Sequence, residues 1–73
     1  MTTSLGKRLK KALVDREMMQ KELAERAGTT EITISRYIRN DRIPQISIFI
    51  NICKTLHVSA DYLLGLKEND DEV

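Results

Sequence analysis

The sequence predicts an all-α domain of five short helices, and three observations support this fold class. Apolar residues recur at helical spacing in four separate segments of the chain. Gly28 and Gly65 stand directly after predicted helices, where glycine favours the left-handed backbone that ends a helix. Strand-like alternation of apolar and polar residues occurs only at 32–35, so that a strand there would have no partner. With 73 residues, the chain has room for one core.

Two helices are predicted before Gly28. Ser4 stands before the first, where its hydroxyl can accept a hydrogen bond as an N-cap. The second runs from Gln20 to Ala27, and Met19 before it cannot accept such a bond. Their apolar faces consist of Leu5, Leu9, Ala12 and Leu13 in the first helix, and of Leu23, Ala24 and Ala27 in the second.

The segment from Thr29 to Arg42 allows two interpretations. Its alternation of β-branched and polar residues is typical of a half-buried strand. As a helix, however, it has an N-cap in Thr30 and a stop in Asn40, which tolerates the left-handed conformation better than other non-glycine residues. An inward face is then formed by Ile34, Tyr37 and Ile38. We therefore predict a third helix here.

Two more helices complete the predicted domain. The fourth presents Phe49, Ile52, Cys53 and Leu56 on one face. The fifth is short, follows Ser59 as its cap and ends at Gly65. We expect residues 1–65 to form the domain and residues 66–73 to be a disordered acidic tail.

The charges divide in the same way. Residues 1–65 hold 11 basic and 7 acidic side chains, a net charge of +4, whereas residues 66–73 have a net charge of −3. A basic body with an acidic tail suits a polyanionic partner, although ordinary solvation explains a charge of +4 equally well.

Several classes of protein are disfavoured. Cys53 is the only cysteine, so no internal disulfide is possible, and we expect a buried, inert thiol. His57 lies four residues later, but two ligands do not make a zinc site, and we expect no metal, cofactor or small-molecule ligand. No nucleophile–base set suggests an enzyme. No apolar run approaches the roughly 18 residues of a membrane span, and the N-terminus lacks a secretory apolar region. A cytoplasmic protein is the simplest interpretation.

The segment around Gly28 has the form of a DNA-binding motif. Three residues, Gly28 to Thr30, separate the second and third helices, which is the length of the turn in a helix-turn-helix. The small side chain of Ala24 lets the two helices approach closely. In this motif the second helix of the pair enters the DNA major groove and presents its N-terminal residues to the base edges.

The stretches QKELAERAGTTEITISRYIRNDRIP and LHVSADYLLG resemble the phage repressor/Cro-type (XRE-like) helix-turn-helix family of transcription regulators. The resemblance covers about residues 5–65 and implies a five-helix, lambda-repressor-like DNA-binding domain. It also implies that the core contains Leu23, Ala24, Ile34, Phe49, Ile52, Leu56 and Leu63. This sequence departs from the family pattern in Met19, Ile38, Asn40 and His57, the last two at positions where glycine is usual.

The resemblance assigns the third helix to base recognition and its surroundings to phosphate contacts. The expected base-reading residues are Glu31, Ile32, Thr33 and Arg36, and the expected phosphate-contacting residues are Gln20, Thr30, Arg39 and Arg42. Arg36 is the strongest candidate because a guanidinium can bind guanine O6 and N7 together, although a phosphate contact or simple exposure would also explain it. Ile32 and Thr33 could meet thymine methyl groups, whereas Glu31 suits the helix dipole better than a cytosine.

We therefore expect a sequence-specific double-stranded DNA-binding transcriptional regulator, a repressor that binds a palindromic operator as a homodimer. The apolar residues proposed for the dimer interface are Ala60, Tyr62, Leu64 and Leu66. The alternative is a protein-interaction module, such as an antitoxin-like or anti-repressor partner.

Overall fold

The structure, a computed structural model, describes residues 4–68. Within that range the chain forms helices and no strand: α1 (Leu5–Asp15), α2 (Gln20–Ala27), α3 (Glu31–Ile38), α4 (Ile46–Leu56) and α5 (Ala60–Leu63). The predicted all-α fold is confirmed, and the alternating segment is helical. Only the first three residues of the predicted acidic tail, 66–68, fall within the described range, and the rest lies outside it. None of these helices combines the length and apolarity needed to cross a membrane.

The apolar core draws on every helix. α2 packs against α3 and α4, and α1 packs against α3 and α5. The largest fully buried side chains are Leu9, Leu23, Ile34, Ile52, Leu56 and Leu63. All seven core residues implied by the family resemblance are buried. Since each helix places at least one side chain at the centre, no helix can leave the bundle without exposing the core to water.

Two of the predicted N-caps are present. The Oγ1 of Thr30 accepts a hydrogen bond from the N–H of Thr33 at 3.2 Å, and the Oγ of Ser59 accepts one from the N–H of Tyr62 at 3.4 Å. Met19 stands at the start of α2 without a side-chain cap, as its thioether predicts. The start of α3 is therefore fixed by its own first residues.

The prediction that Ser4 caps α1 is wrong. The Ser4 hydroxyl makes no capping bond and accepts instead from Nε of Arg8 at 2.9 Å. The N–H of Gly6 in the first turn of α1 is satisfied from elsewhere, because it donates to Oδ1 of Asn40 at 3.0 Å. A residue 34 positions away thus does the capping that the sequence assigned to a neighbour.

α1 and the end of α3 meet at close range at Gly6. A Cβ atom added there would lie 2.1 Å from the carbonyl oxygen of Ile38, far inside van der Waals contact. Glycine is needed at this point because the backbones themselves are in contact. This contact, together with the Asn40 bond, fixes the C-terminal end of α3 on α1.

A left-handed residue follows each of the five helices, either directly or one residue later. Gly28 has φ 82° and Gly65 has φ 85°, and the predicted stop at Asn40 is confirmed with φ 62°. Glu17 and His57 also have positive φ angles, both 53°. The sequence analysis noted His57 as a departure from glycine, and the structure places it in the conformation that a glycine would adopt more easily.

Candidate nucleic-acid interface

The turn between α2 and α3 determines where α3 lies. At Gly28 the chain turns into the left-handed region, and the N–H groups of Gly28 and Thr29 donate to the carbonyl of Ala24 at 3.0 and 2.9 Å. Thr30 is extended, with φ −112° and ψ 159°, and α3 begins at the next residue. Because Ala24 is buried and small, α2 and α3 cross closely here. The predicted helix-turn-helix geometry is therefore present.

α3 has one face in the core and one toward solvent. Ile34 and Tyr37 are buried, as predicted, whereas Ile38 is only half-buried. Glu31, Ile32 and Arg36 are exposed. Ile32 has 67% of its surface in solvent. This is a large exposure for an apolar side chain, and Ile32 does not belong to the core. The apparent strand pattern thus arises because inward and outward positions interleave along this helix.

The two threonines at the start of α3 bind each other. The Oγ1 atoms of Thr30 and Thr33 are 2.9 Å apart and share a hydrogen bond, and Thr30 also caps the helix. Thr33 is half-buried, whereas Thr30 is exposed. Capping therefore already occupies the Thr30 hydroxyl.

The structure brings most of the predicted DNA contacts together around α3. One shallow groove is lined by Gln20, Glu31, Ile32, Ser35 and Arg39. A second, on the other side of α3, is lined by Thr29, Thr33, Tyr37, Arg42, Ile43, Gln45 and Ile48. The sequence analysis missed Ser35 as part of this surface. Its spacing of three residues from Ile32 and four from Glu31 was the signal that could have identified it.

The three arginines of this surface differ in their surroundings. Arg39 donates through Nε to Oδ2 of Asp41 at 3.1 Å, in an ion pair with more than half of each side chain exposed. Arg36 and Arg42 are exposed, and the described part of the chain holds no ion pair for either. Their guanidinium groups are therefore available to a polyanion without the loss of an internal partner.

The basic residues of α1 divide between structural and exposed positions. Arg8 donates through Nη1 to the carbonyls of Tyr62 at 3.1 Å and Lys67 at 2.6 Å. Its guanidinium also lies 4.7 Å from the centre of the Tyr62 ring. Lys11 pairs with Asp15 at 2.8 Å. Arg8 thus fastens the C-terminal segment to α1 and is not available to a phosphate.

The residues predicted for a dimer interface are not all at the surface. Tyr62 is buried beneath Arg8 in the core, because α5 has only one turn and directs this ring inward. Ala60, Leu64 and Leu66 remain exposed. The predicted apolar surface is therefore smaller than the sequence suggested.

Cys53 and His57 do not form a metal site with any third residue. No group of three potential His, Cys, Asp or Glu ligands occurs among residues 4–68. Cys53 is half-buried, so the expectation of a buried thiol is only partly met. Burial still raises the pKa of the Cys53 thiol, which keeps the less reactive protonated form at neutral pH.

Comparison with known proteins identifies the same motif. A family model described as helix-turn-helix matches residues 9–63. The chain is 40% identical over 65 residues to the HTH-type transcriptional regulator ImmR of Bacillus subtilis, a match that covers 89% of this chain and 51% of the relative. The chain also spans 53% of a second B. subtilis relative, the uncharacterized HTH-type regulator YqaE, at 34% identity and over 85% of its own length. It thus spans about half the length of these curated relatives.

Solved structures agree in fold. The P22 c2 repressor protein in complex with a synthetic operator superposes with a TM-score of 0.81 at 25% identity, covering 86% of this chain and 96% of that one. The N-terminal DNA binding domain of SinR from B. subtilis superposes with a TM-score of 0.76 at 31% identity, covering 84% and 90%. The five-helix arrangement is therefore that of known repressor DNA-binding domains.

Proposed function

The chain belongs to the helix-turn-helix family whose model spans residues 9–63, and we propose that it is a sequence-specific double-stranded DNA-binding transcriptional regulator. The observation that supports this most directly is the outward face of α3, where Glu31, Ile32 and Arg36 are exposed on a helix whose ends are both fixed. The likeness to a repressor described in complex with an operator points the same way.

In the proposed complex α3 lies in the major groove. Arg36 binds a guanine through O6 and N7, and Ile32 and the methyl of Thr33 meet thymine methyl groups. The carboxylate of Glu31 interacts with the positive end of the α3 dipole. The phosphate contacts proposed on either side come from Gln20, Thr30, Arg39 and Arg42. Exposure of both Arg36 and Arg42 suits these roles.

The proposal includes repression and a homodimer. A domain of this size reads few base pairs, so affinity is expected to require two half-sites about one helical turn apart. Blocking a promoter by occupancy needs no further activity from the bound protein, which favours a repressor. We place this action in the cytoplasm, in contact with bacterial or phage DNA.

Selection from a random duplex pool tests the proposal. The enriched sequences should contain an inverted repeat, and fluorescence anisotropy should then show tighter binding to that duplex than to a scrambled one, with both affinities falling as salt rises. Enrichment of no sequence, together with tight binding to a protein partner, would contradict the proposal and favour the protein-interaction alternative.

A pair of arginine variants tests the role of α3. Arg36→Ala should lower discrimination at one base pair by about 1–3 kcal/mol. Arg26→Ala removes the same charge from an exposed arginine of α2 that pairs with Glu22 at 3.1 Å, and it should leave the base preference unchanged. If both variants changed DNA binding equally, Arg36 would contribute only its positive charge and would not read a base.

A further inference from the structure

An apolar stripe runs along α4 beside the face that packs into the core. Ile46 is 72% exposed and Ile50 is 45% exposed. Cys53, which is half-buried and packs against the core on one side, continues the line. The preceding loop adds Ile43, with 75% of its surface in solvent. Both α4 isoleucines thus keep a large part of their surface in solvent, although a buried isoleucine is the usual state in a folded domain. We call Ile46, Ile50 and Cys53 the α4 stripe.

The spacing within the α4 stripe is that of a helix–helix seam. Steps of four and then three residues separate its members, which is the a/d spacing that keeps apolar side chains facing a partner helix. Phe49 and Ile52 on the same helix are buried in the core. The apolar surface of α4 is therefore wider than the part that the core covers.

The charge distribution favours a second copy of this chain as the partner that covers the α4 stripe. No charged residue occurs from Ile43 to Cys53, although 32% of the chain is charged. A two-fold contact places the same surface on both sides, so an uncharged patch meets itself without like-charge repulsion. An uncharged patch also offers a protein of different sequence no charge pattern by which to be selected.

The alternative apolar surface near the C-terminus is less suited to self-contact. Leu64 and Leu66 are exposed there, but so are Asp61 and Glu68, and three further acidic residues follow in the sequence. Two copies meeting at this surface would bring like charges together. Tyr62, the largest residue predicted for that interface, is buried.

We propose that two copies of this chain associate through the α4 stripe, with the two α4 helices antiparallel and crossing near Ile50. In this arrangement Ile50 packs against the partner's Ile50, and Ile46 packs against the partner's Cys53. The two Lys54 side chains then lie at opposite ends, with their α-carbons roughly 13 Å apart along the helix axes, beyond the Debye length in physiological salt. A parallel arrangement would bring the two lysines together.

This inference rests on the proposed homodimer and supplies its interface. Its test uses the whole chain without DNA, by sedimentation equilibrium from micromolar to millimolar protein. Wild type should show a monomer–dimer equilibrium, and Ile46→Glu should weaken dimerisation at least tenfold because it buries two carboxylates in the contact. Leu66→Glu is the matched control and should change the dissociation constant of the dimer less than twofold. Circular dichroism melts establish that each variant is folded.

A cross-linking measurement locates the contact independently. In a Cys53→Ser background, Ile50→Cys should give a covalent dimer with a short bis-maleimide reagent, and Leu64→Cys should remain monomeric. Cross-linking through Leu64→Cys, loss of the dimer in Leu66→Glu but not in Ile46→Glu, or a wild-type chain that stays monomeric at millimolar concentration would each overturn the proposal.

DNA binding distinguishes this inference from the proposed function. If Ile46→Glu is monomeric and still prefers the selected half-site over a scrambled duplex, both proposals stand. If the wild-type chain dimerises through the α4 stripe but enriches no DNA sequence, the interface stands and the proposed function fails.

Discussion

α1 and α3 end in the same backbone geometry, but only one of the two left-handed residues makes a tertiary contact with its side chain. Glu17 after α1 and Asn40 after α3 are both left-handed. In each case the following N–H reaches back five residues, from Met18 to the carbonyl of Leu13 at 3.0 Å, and from Asp41 to that of Arg36 at 2.9 Å. This is the pattern of a Schellman motif.

The difference lies in the side chains. Oδ1 of Asn40 accepts from the N–H of Gly6, so the residue that ends α3 also caps the start of α1. Glu17 is exposed, and its side chain has no hydrogen bond or ion pair within residues 4–68. The left-handed strain is therefore offset at Asn40 by the residue's own side chain. At the end of α1 the tertiary contact comes instead from the neighbouring residue, because Nη2 of Arg16 donates to the carbonyl of His57 at 3.0 Å. The expected effects of substitution follow from this contrast.

The largest effect is expected from Gly6→Ala. In an unobstructed helix, alanine would be better than glycine by about 1 kcal/mol. Here the new Cβ would meet the Ile38 carbonyl, backbone that cannot move without shifting α3, and we expect a loss of about 3 kcal/mol in the free energy of unfolding. Urea unfolding measures it.

Gly28→Ala is the control for this clash. A Cβ at Gly28 meets no atom within 4 Å, but the φ of 82° remains unfavourable, and the cost should be about 1–2 kcal/mol. If Gly6→Ala were stabilising, the contact between α1 and the end of α3 would be looser than the structure shows.

The next effect is that of Asn40→Ala. This change removes the cap from Gly6 and leaves a residue that adopts the left-handed conformation poorly, so that we expect a loss of about 1–2 kcal/mol in the free energy of unfolding. Asn40→Gly relieves the backbone strain but still removes the cap, and it should cost less than Asn40→Ala. Equal stability of the glycine variant and wild type would mean that the Gly6 bond contributes little net free energy.

The parts of this junction differ in how far the sequence could predict them. Thr30 as a cap and Gly28 and Asn40 as stops were predictable because capping depends on a residue's type and its near neighbours. The Gly6–Asn40 bond was not, because it joins two residues 34 positions apart. Asn40 already had a sufficient local explanation, and Ser4 offered a local cap for α1.

The candidate nucleic-acid interface was also only partly predictable from the sequence. The inward and outward faces of α3 followed from its periodicity, since eight residues give two full turns of pattern. α5 has four residues, too few for a periodicity, and the sequence could not reveal that Tyr62 turns inward. Nor did the cluster of basic residues on α1 show that Arg8 serves the fold, because its acceptors are backbone carbonyls, which every residue has.

A smaller effect of opposite sign is expected from Glu17→Gly. The substitution removes the strain of a left-handed non-glycine residue without breaking a side-chain hydrogen bond or ion pair within residues 4–68. The entropy of glycine in the unfolded chain offsets part of the gain. We expect an increase of about 0.5–1 kcal/mol in the free energy of unfolding, measured in urea. His57→Gly should behave alike, since its φ is also 53°. Destabilisation by Glu17→Gly would show that this side chain has a structural role like that of Asn40.

The smallest effect concerns Asp41, the residue after Asn40. It is exposed and pairs with Arg39, so the pair should contribute well under 1 kcal/mol to stability. In the proposed complex, however, Asp41 competes with a phosphate for this guanidinium and adds a negative charge beside the DNA. Asp41→Asn should therefore leave the urea midpoint unchanged and tighten DNA binding by about 2- to 5-fold at low salt, with less gain as screening increases. Asp15→Asn changes the same charge beside Lys11 on α1. An equal gain from both variants would indicate net charge alone, whereas a gain confined to Asp41→Asn would place Arg39 against the DNA backbone.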